Sequence, residues 1–423
     1  MATRGSGGGL SGTGEGSAGQ PGDSPGDRAD PPGRWRVLTL LSAAELAGMS
    51  LWFTASAAAP QLRELWSLSP TQEVWLTNAV QLGFVVGTAL SAALNLADIV
   101  RARTLFAVSA LAAAAVNGLI LAAPGFAQGV ALRFLTGVFL AGVYPPAMKM
   151  AATWFRSGRG LAIGTIVGAL TVGKAAPYLL QGVERLGLAG VIGGASIGAA
   201  AAGALILAAY RDGPFPFPAR PFDWGLVGTV LRHRPTRLAI FGYLGHMWEL
   251  YAMWALVTLY FGDALAARGA SAVPLGAGLI GFAVIAAGGP GSVLAGHLAD
   301  RLGRERVASW AMAVSGACAL SIGWLADAPL AVPVALGLVW GFCVVADSAQ
   351  FSALVTEVTP SHAVGTALTL QTSLGFALTI ASIWLAATLS VHAGWGVSFG
   401  ALAVGPALGI VAMSKLRASR TAH

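Results

Sequence analysis

Twelve apolar runs divide almost the whole chain, near residues 37–60, 74–97, 103–123, 127–151, 160–182, 188–210, 237–262, 276–299, 306–326, 330–355, 363–388 and 391–414. Each is long enough to cross a hydrocarbon core about 30 Å thick as a helix, which takes about 20 residues. In lipid, every backbone N–H and C=O must find a partner inside the protein, so runs of this length can only be helices. Composition agrees. Of 423 residues, 56% are hydrophobic and 10% charged, with mean hydropathy +0.71. Soluble domains carry about 25% charged residues, so a water-soluble enzyme is excluded first. The expectation is an all-α membrane protein of twelve spans, with no room for a sizeable soluble domain.

The few charges are placed unevenly. With the N-terminus inside, 19 of the 25 basic residues fall in cytoplasmic segments, among them Arg34, Arg36, Arg101, Arg103, Arg156, Arg159, Arg211, Arg301, Arg304, Arg306 and Arg417. Outer loops hold only Arg63, Arg185 and Arg268. This bias predicts both termini in the cytoplasm, in the cytoplasmic (inner) membrane. It also explains the net charge of +7 without nucleic acid. Residues 1–33, with eleven Gly, four Pro and no aromatic, are expected to form a disordered cytoplasmic tail. The proline-bearing stretch 211–236 reads as a cytoplasmic linker between a six-helix unit at 34–210 and a second at 237–414, followed by a tail at 415–423. Cys318 and Cys343 sit in apolar runs and make neither a disulfide framework nor a metal spacing.

An internal repeat supports the division. Glu45-Leu46-Ala47-Gly48-Met49 is matched by Glu249-Leu250-Tyr251-Ala252-Met253, Leu96-Ala97-Asp98 by Leu298-Ala299-Asp300, and Gly164-Thr165 by Gly365-Thr366, at offsets of 204, 202 and 201. Between spans 8 and 9 stands Gly296-His297-Leu298-Ala299-Asp300-Arg301-Leu302-Gly303-Arg304-Glu305-Arg306. With twelve spans and a half-length repeat, this resembles the loop signature of the major facilitator superfamily. Asn95 to Arg103, containing Asp98 and Arg101, is similar to a degenerate copy lacking both glycines. Arg133-Phe134-Leu135-Thr136-Gly137 is similar to the family's span-4 motif, with Thr in place of Gln. The resemblance covers residues 34 to about 415. It implies two six-helix bundles related by a pseudo-two-fold axis around a central cavity lined by spans 1, 4, 7 and 10, with alternating access and a monomeric unit. It further implies that Gly296, Asp300, Arg301, Gly303, Arg304, Asp98 and Arg101 form a gating latch. A positive-inside loop with a structural ion pair is the plainer account of the same residues.

An ionisable group inside a span is costly and marks a functional candidate. Six charges qualify, namely Glu45, Arg133, Lys149, Lys174, Glu249 and Asp347, and five of them fall on spans 1, 4, 7 and 10. Arg133 offers a planar fork for a carboxylate of substrate, Glu45 or Asp347, or serves as a structural brace. Tyr144, eleven residues on, falls on its helical face. Lys174 lies too deep in span 5 to snorkel and suits an anion; Lys149 is nearer a span end. Glu249 stands near the midplane of span 7 with His246 one turn before it, and Asp347 is followed at i+3 by Gln350. Glu45, Glu249, Asp347 and His246 are the proton-coupling candidates. Arg133, Lys174, Lys149, Tyr144, Gln350 and Trp248 are the substrate candidates. Structural ion pairing competes with each of these roles.

Several apparent motifs are discounted. Gly194 to Gly198 fits G-x-S-x-G and Gly276 to Gly281 fits G-x-G-x-x-G, but both lie in apolar helices without a strand-to-turn context. Gly160, Gly164 and Gly168 mark close helix approach. No constellation supports an enzyme, and no cofactor is implied. The expected activity is secondary active transport of a small solute, an organic or inorganic anion, by proton symport. Distant similarity to nitrate- and cyanate-type porters points the same way, although the span 2 and span 8 arginines of nitrate porters are absent. Proton-coupled efflux of drugs or metabolites is the alternative. A channel or membrane sensor on the same fold is the rival of a different class.

Overall fold

The computed structural model describes residues 30–181, 186–215, 222–270 and 273–421. Most of the predicted tail (1–29), part of the linker (216–221), Arg185 and the side chain of Asp98 lie outside the described residues. Among those described there is helix and no strand, and eleven helical segments are long and apolar enough to cross a membrane. This is an all-α architecture of the multi-pass membrane kind.

The chain opens with α1 (Arg34–Met49), α2 (Thr54–Ala57), α3 (Ala59–Trp66) and α4 (Pro70–Ala93). It continues through α5 (Leu96–Ile99), α6 (Ala102–Gly118), α7 (Phe126–Leu140), α8 (Tyr144–Ala152), α9 (Arg159–Gln181) and α10 (Gly187–Ala209). After α11 (Val227–Arg232) come α12 (Arg234–Ala267), α13 (Val273–Ala286), α14 (Gly288–Leu302) and α15 (Arg304–Ile322). The last are α16 (Ala331–Ala346), α17 (Ser348–Val358), α18 (Val364–His392), α19 (Gly394–Leu402) and α20 (Val404–Thr421).

Several spans are interrupted, and proline chemistry places most of the breaks. A proline lacks an N–H and collides with the carbonyl four residues earlier. Pro145 and Pro146 act on Ala141 and Gly142, between α7 and α8; Pro290 acts on Ala286, the last residue of α13; Pro406 acts on Leu402, the last residue of α19. The expected single first span, 37–60, is instead broken at Ser50–Phe53, where no proline stands within four residues. Within the expected linker, α11 and the start of α12 occupy 227–236, and the expected C-terminal tail is helical through Thr421.

Packing partners recur along the chain. α1 packs on α9 and α10, α4 on α7, and α6 on α7 and α10. Later, α12 packs on α18 and α20, α13 and α14 on α16, and α15 on α16 and α20. The early and late helices meet where α4 touches α18 and where α9 runs along α13 and α14. The second contact needs glycine. A Cβ on Gly164 would stand 2.6 Å from the Ser292 carbonyl, and one on Gly168 would stand 2.8 Å from that of Gly289.

At one end of the molecule Asp30 ties the start of α1 to the loop before α9. It accepts from the Arg156 N–H at 2.7 Å and the Ser157 N–H at 3.1 Å, and it also binds the Ser157 hydroxyl and Arg34. Burial alone would raise its carboxyl, but these donors and the Arg34 charge hold it below the ordinary carboxylate value.

Candidate functional site

The break in the first span turns Trp52 and Phe53 inward, onto side chains of α9 and α12. Lys174 of α9 places its ammonium 3.8 Å from the Trp52 ring centre, 4.5 Å from Tyr251 and 5.4 Å from Trp254. It donates a hydrogen bond to the Tyr251 hydroxyl. Three aromatic faces therefore cage one desolvated cation, an arrangement worth about 2 kcal/mol or more at such a site. The cage belongs to a larger aromatic cluster that crosses the α4–α18 contact. Trp52 packs on Phe84 at 5.1 Å, Phe84 on Phe376 at 4.4 Å, and Phe376 on Tyr251 at 5.1 Å.

Glu45, on α1, shares this region and interacts electrostatically with Lys174 and Tyr144. It is 0% exposed, and neither carboxyl oxygen has a hydrogen-bond partner. The indole N–H groups of Trp52 and Trp254 are also buried without an acceptor. Buried polar atoms are rarely left unpaired. Here an ammonium, a carboxyl group and two unused donors are gathered where early and late helices meet. Such a set can take a small ligand rich in oxygen acceptors.

Arg133 lies elsewhere. Its guanidinium donates to the Leu51 carbonyl at 2.9 Å, the Thr54 hydroxyl and the Asn117 side-chain oxygen at 3.1 Å each, the Leu76 carbonyl at 3.4 Å, and the Trp52 carbonyl. All five acceptors are neutral. The carboxylate contacts expected with Glu45 or Asp347 are not made. Arg133 instead satisfies carbonyls that the break in the first span frees. The regular helix that would put Tyr144 on Arg133's face is interrupted, because the chain unwinds at 141–143, and Tyr144 begins a new helix and interacts electrostatically with Glu45.

Glu249 is fully engaged. It accepts from the Trp340 indole at 2.7 Å and the Ser315 hydroxyl at 2.8 Å, joining α12 to α15 and α16. His246, one turn earlier, brings Nδ1 to 2.8 Å from Asp347, which interrupts α16 and α17. Gln350 accepts from Arg304 at 3.0 Å. Trp248 points away from the cage and donates to the Ala401 carbonyl at 3.1 Å, on α19. Lys149 stands in the last turn of α8.

The signature loop forms a compact network. Arg304 binds Glu357 at 2.7 Å and approaches Asp300 at 3.5 Å, and Arg420 binds Glu305 at 2.7 Å. Gly303 holds φ +91°, a conformation that favours glycine. Asp300 also abuts the first turn of α9, where a Cβ on Gly160 would meet its carboxylate at 2.5 Å. Gly296 faces the same turn of α9. Arg101 and Arg301 are exposed.

Sequence reasoning misses Trp52, Tyr251, Asn117, Ser315 and Glu357. Trp52 lies two helical turns beyond Glu45, and Tyr251 stands inside the repeated Glu-Leu segment, which is the one signal that marks them. Among the described residues no three His, Cys, Asp or Glu side chains gather to hold a metal. No family model and no curated protein matches the chain.

Proposed function

We propose that this chain is a secondary active transporter that moves a small organic or inorganic anion together with a proton by alternating access. The observation that carries the proposal is the Lys174–Glu45 site. An anion and the Glu45 carboxylate compete for a single ammonium. In a low-dielectric site, two negative charges beside one positive charge are strongly disfavoured. Protonating Glu45 removes that competition, so anion and proton bind together. The Trp52 and Trp254 N–H groups supply further donors to the bound anion.

The architecture we infer is that of the major facilitator superfamily, with six-helix units at 34–210 and 237–414. Support comes from the packing partners. Counting α1–α3, α4, α6, α7–α8, α9 and α10 as spans 1 to 6, the contacts 1–5, 1–6, 2–4, 3–4 and 3–6 reappear six spans later. In this reading the α9–α14 contact and the Asp300–Arg304–Glu357 network close the cytoplasmic side, and the termini face the cytoplasm.

Uptake into proteoliposomes under an imposed inward proton gradient tests the function, with small carboxylates and inorganic oxyanions as substrates. Saturable, gradient-driven accumulation is expected. Replacing Lys174 by Met should raise the apparent KM by about tenfold or more, corresponding to loss of one charge-assisted hydrogen bond of about 1.5–3 kcal/mol. Gradient-independent, non-saturating flux, or a wild-type KM in K174M, would refute the assignment.

A further inference from the structure

A groove of about 470 Å³ lies between α15 and α20, at the end of the molecule where α15 begins and α20 finishes. Both helices contribute an arginine and a serine to its lining. On α15, Arg306, Ser309 and Trp310 follow at i, i+3 and i+4; on α20, Met413, Ser414 and Arg417 follow at i, i+1 and i+4. The α15 spacing puts its three residues on one helical face, and on α20 Ser414 and Arg417, three apart, share a face. α15 places Arg306 at the rim and Trp310 one turn deeper, about 6 Å along the axis, while Met413 of α20 is buried, its methyl end turned to Gly242 of α12, and closes the floor. Trp310 is 58% exposed, although it carries one of the largest side chains in the protein.

The charge balance at this rim is positive. Arg301, Arg304, Arg306, Lys415, Arg417 and Arg420 stand against Asp300, Glu305 and Glu357. Each of the three carboxylates is engaged by Arg304 or Arg420. Glu305 lines the groove, yet its charge is met by Arg420 at 2.7 Å. Arg306 makes no ion pair among the described residues.

We propose that this groove binds the headgroup of an anionic phospholipid. Arg306 and Arg417 meet the phosphate, Ser309 and Ser414 bond the headgroup or glycerol oxygens, and Trp310 packs on the start of the acyl chains. A basic pocket between membrane helices suits a lipid phosphate, and an indole one turn deeper suits the interfacial layer. The order of charge above apolar surface separates a lipid from a free oxyanion, which has no use for the exposed Trp310.

Native mass spectrometry of the full chain released from detergent tests this with phosphatidylglycerol, phosphatidylcholine and inorganic phosphate. One phosphatidylglycerol should be retained in preference to phosphatidylcholine, and inorganic phosphate at matched concentration should not displace it. Arg306→Gln should weaken phosphatidylglycerol binding about fivefold, the effect of one basic residue at an anionic membrane surface. Trp310→Ala should weaken binding of both lipids, and it gives an independent reading should R306Q not be recovered. Arg36→Gln, an exposed arginine outside the groove, should bind as the wild type does. Equal retention of the two lipids, displacement by inorganic phosphate, or unchanged binding in both R306Q and W310A would overturn the proposal.

Discussion

Arg133 and Lys174 are the two fully buried basic cations among the described residues, and their surroundings give them different tasks. Arg133 is saturated by five neutral oxygens. Lys174 has aromatic faces, one phenol and an unsatisfied carboxyl group nearby. The first pattern is a brace, and it acts on the second through Trp52, whose carbonyl Arg133 binds and whose ring covers Lys174. Arg133→Met should therefore lower stability by about 1–3 kcal/mol for each buried acceptor left unmet. Thermal unfolding in detergent reads that loss. R133K, which restores some donors, should recover part of it, and both variants should weaken anion affinity less than K174M does. An R133M protein as stable as the wild type would remove the bracing role.

At the scale of elements, proline accounts for what sequence makes visible. Ala141, Ala286 and Leu402, where three of the breaks begin, each stand four residues before a proline, the distance over which its ring displaces a carbonyl. The break at Ser50–Phe53 carries no such mark. It is stabilised from α7 through Arg133, a contact 82 residues away in sequence. The cage was out of reach for the same reason, since α1–α2, α9 and α12 each contribute one side of it. The repeat did connect Glu45 with Glu249, but equivalence of position is not equivalence of role: Glu249 has acquired two donors where Glu45 has none. The glycine spacing on α9 was legible, and its partner helix was not. Gly164→Val should force α9 away from Ser292, because the obstructing atom is a backbone carbonyl that cannot rotate aside. Site-specific thiol labelling of cysteines placed along α14 should then rise toward its α9-facing positions. Unchanged labelling would mean that the contact tolerates the extra volume.

For the whole molecule, the proposed symport requires that a proton gradient drive an anion. The charged groups facing the cage are Glu45 and Lys174, with the phenols of Tyr144, Tyr243 and Tyr251 beside them. Glu45 ionised leaves the pair neutral and repels an entering anion. Glu45 protonated leaves Lys174 as the uncompensated charge, and a monoanion then restores neutrality. In the proposed cycle the site alternates between two neutral loads, empty and doubly occupied, and neither leaves an uncompensated charge buried during the change of access. Wild-type uptake should consequently rise as external pH falls. Glu45→Gln fixes the protonated form, so anion binding and anion–anion exchange should persist and lose their pH dependence, while accumulation against a concentration gradient disappears. Glu249→Gln, remote from the cage and held by Trp340 and Ser315, should keep gradient-driven accumulation and lose thermal stability instead. The two variants in one proteoliposome assay separate the carboxyl groups. Accumulation retained in E45Q but lost in E249Q would move the proton site to α12 and overturn the coupling scheme built on Lys174.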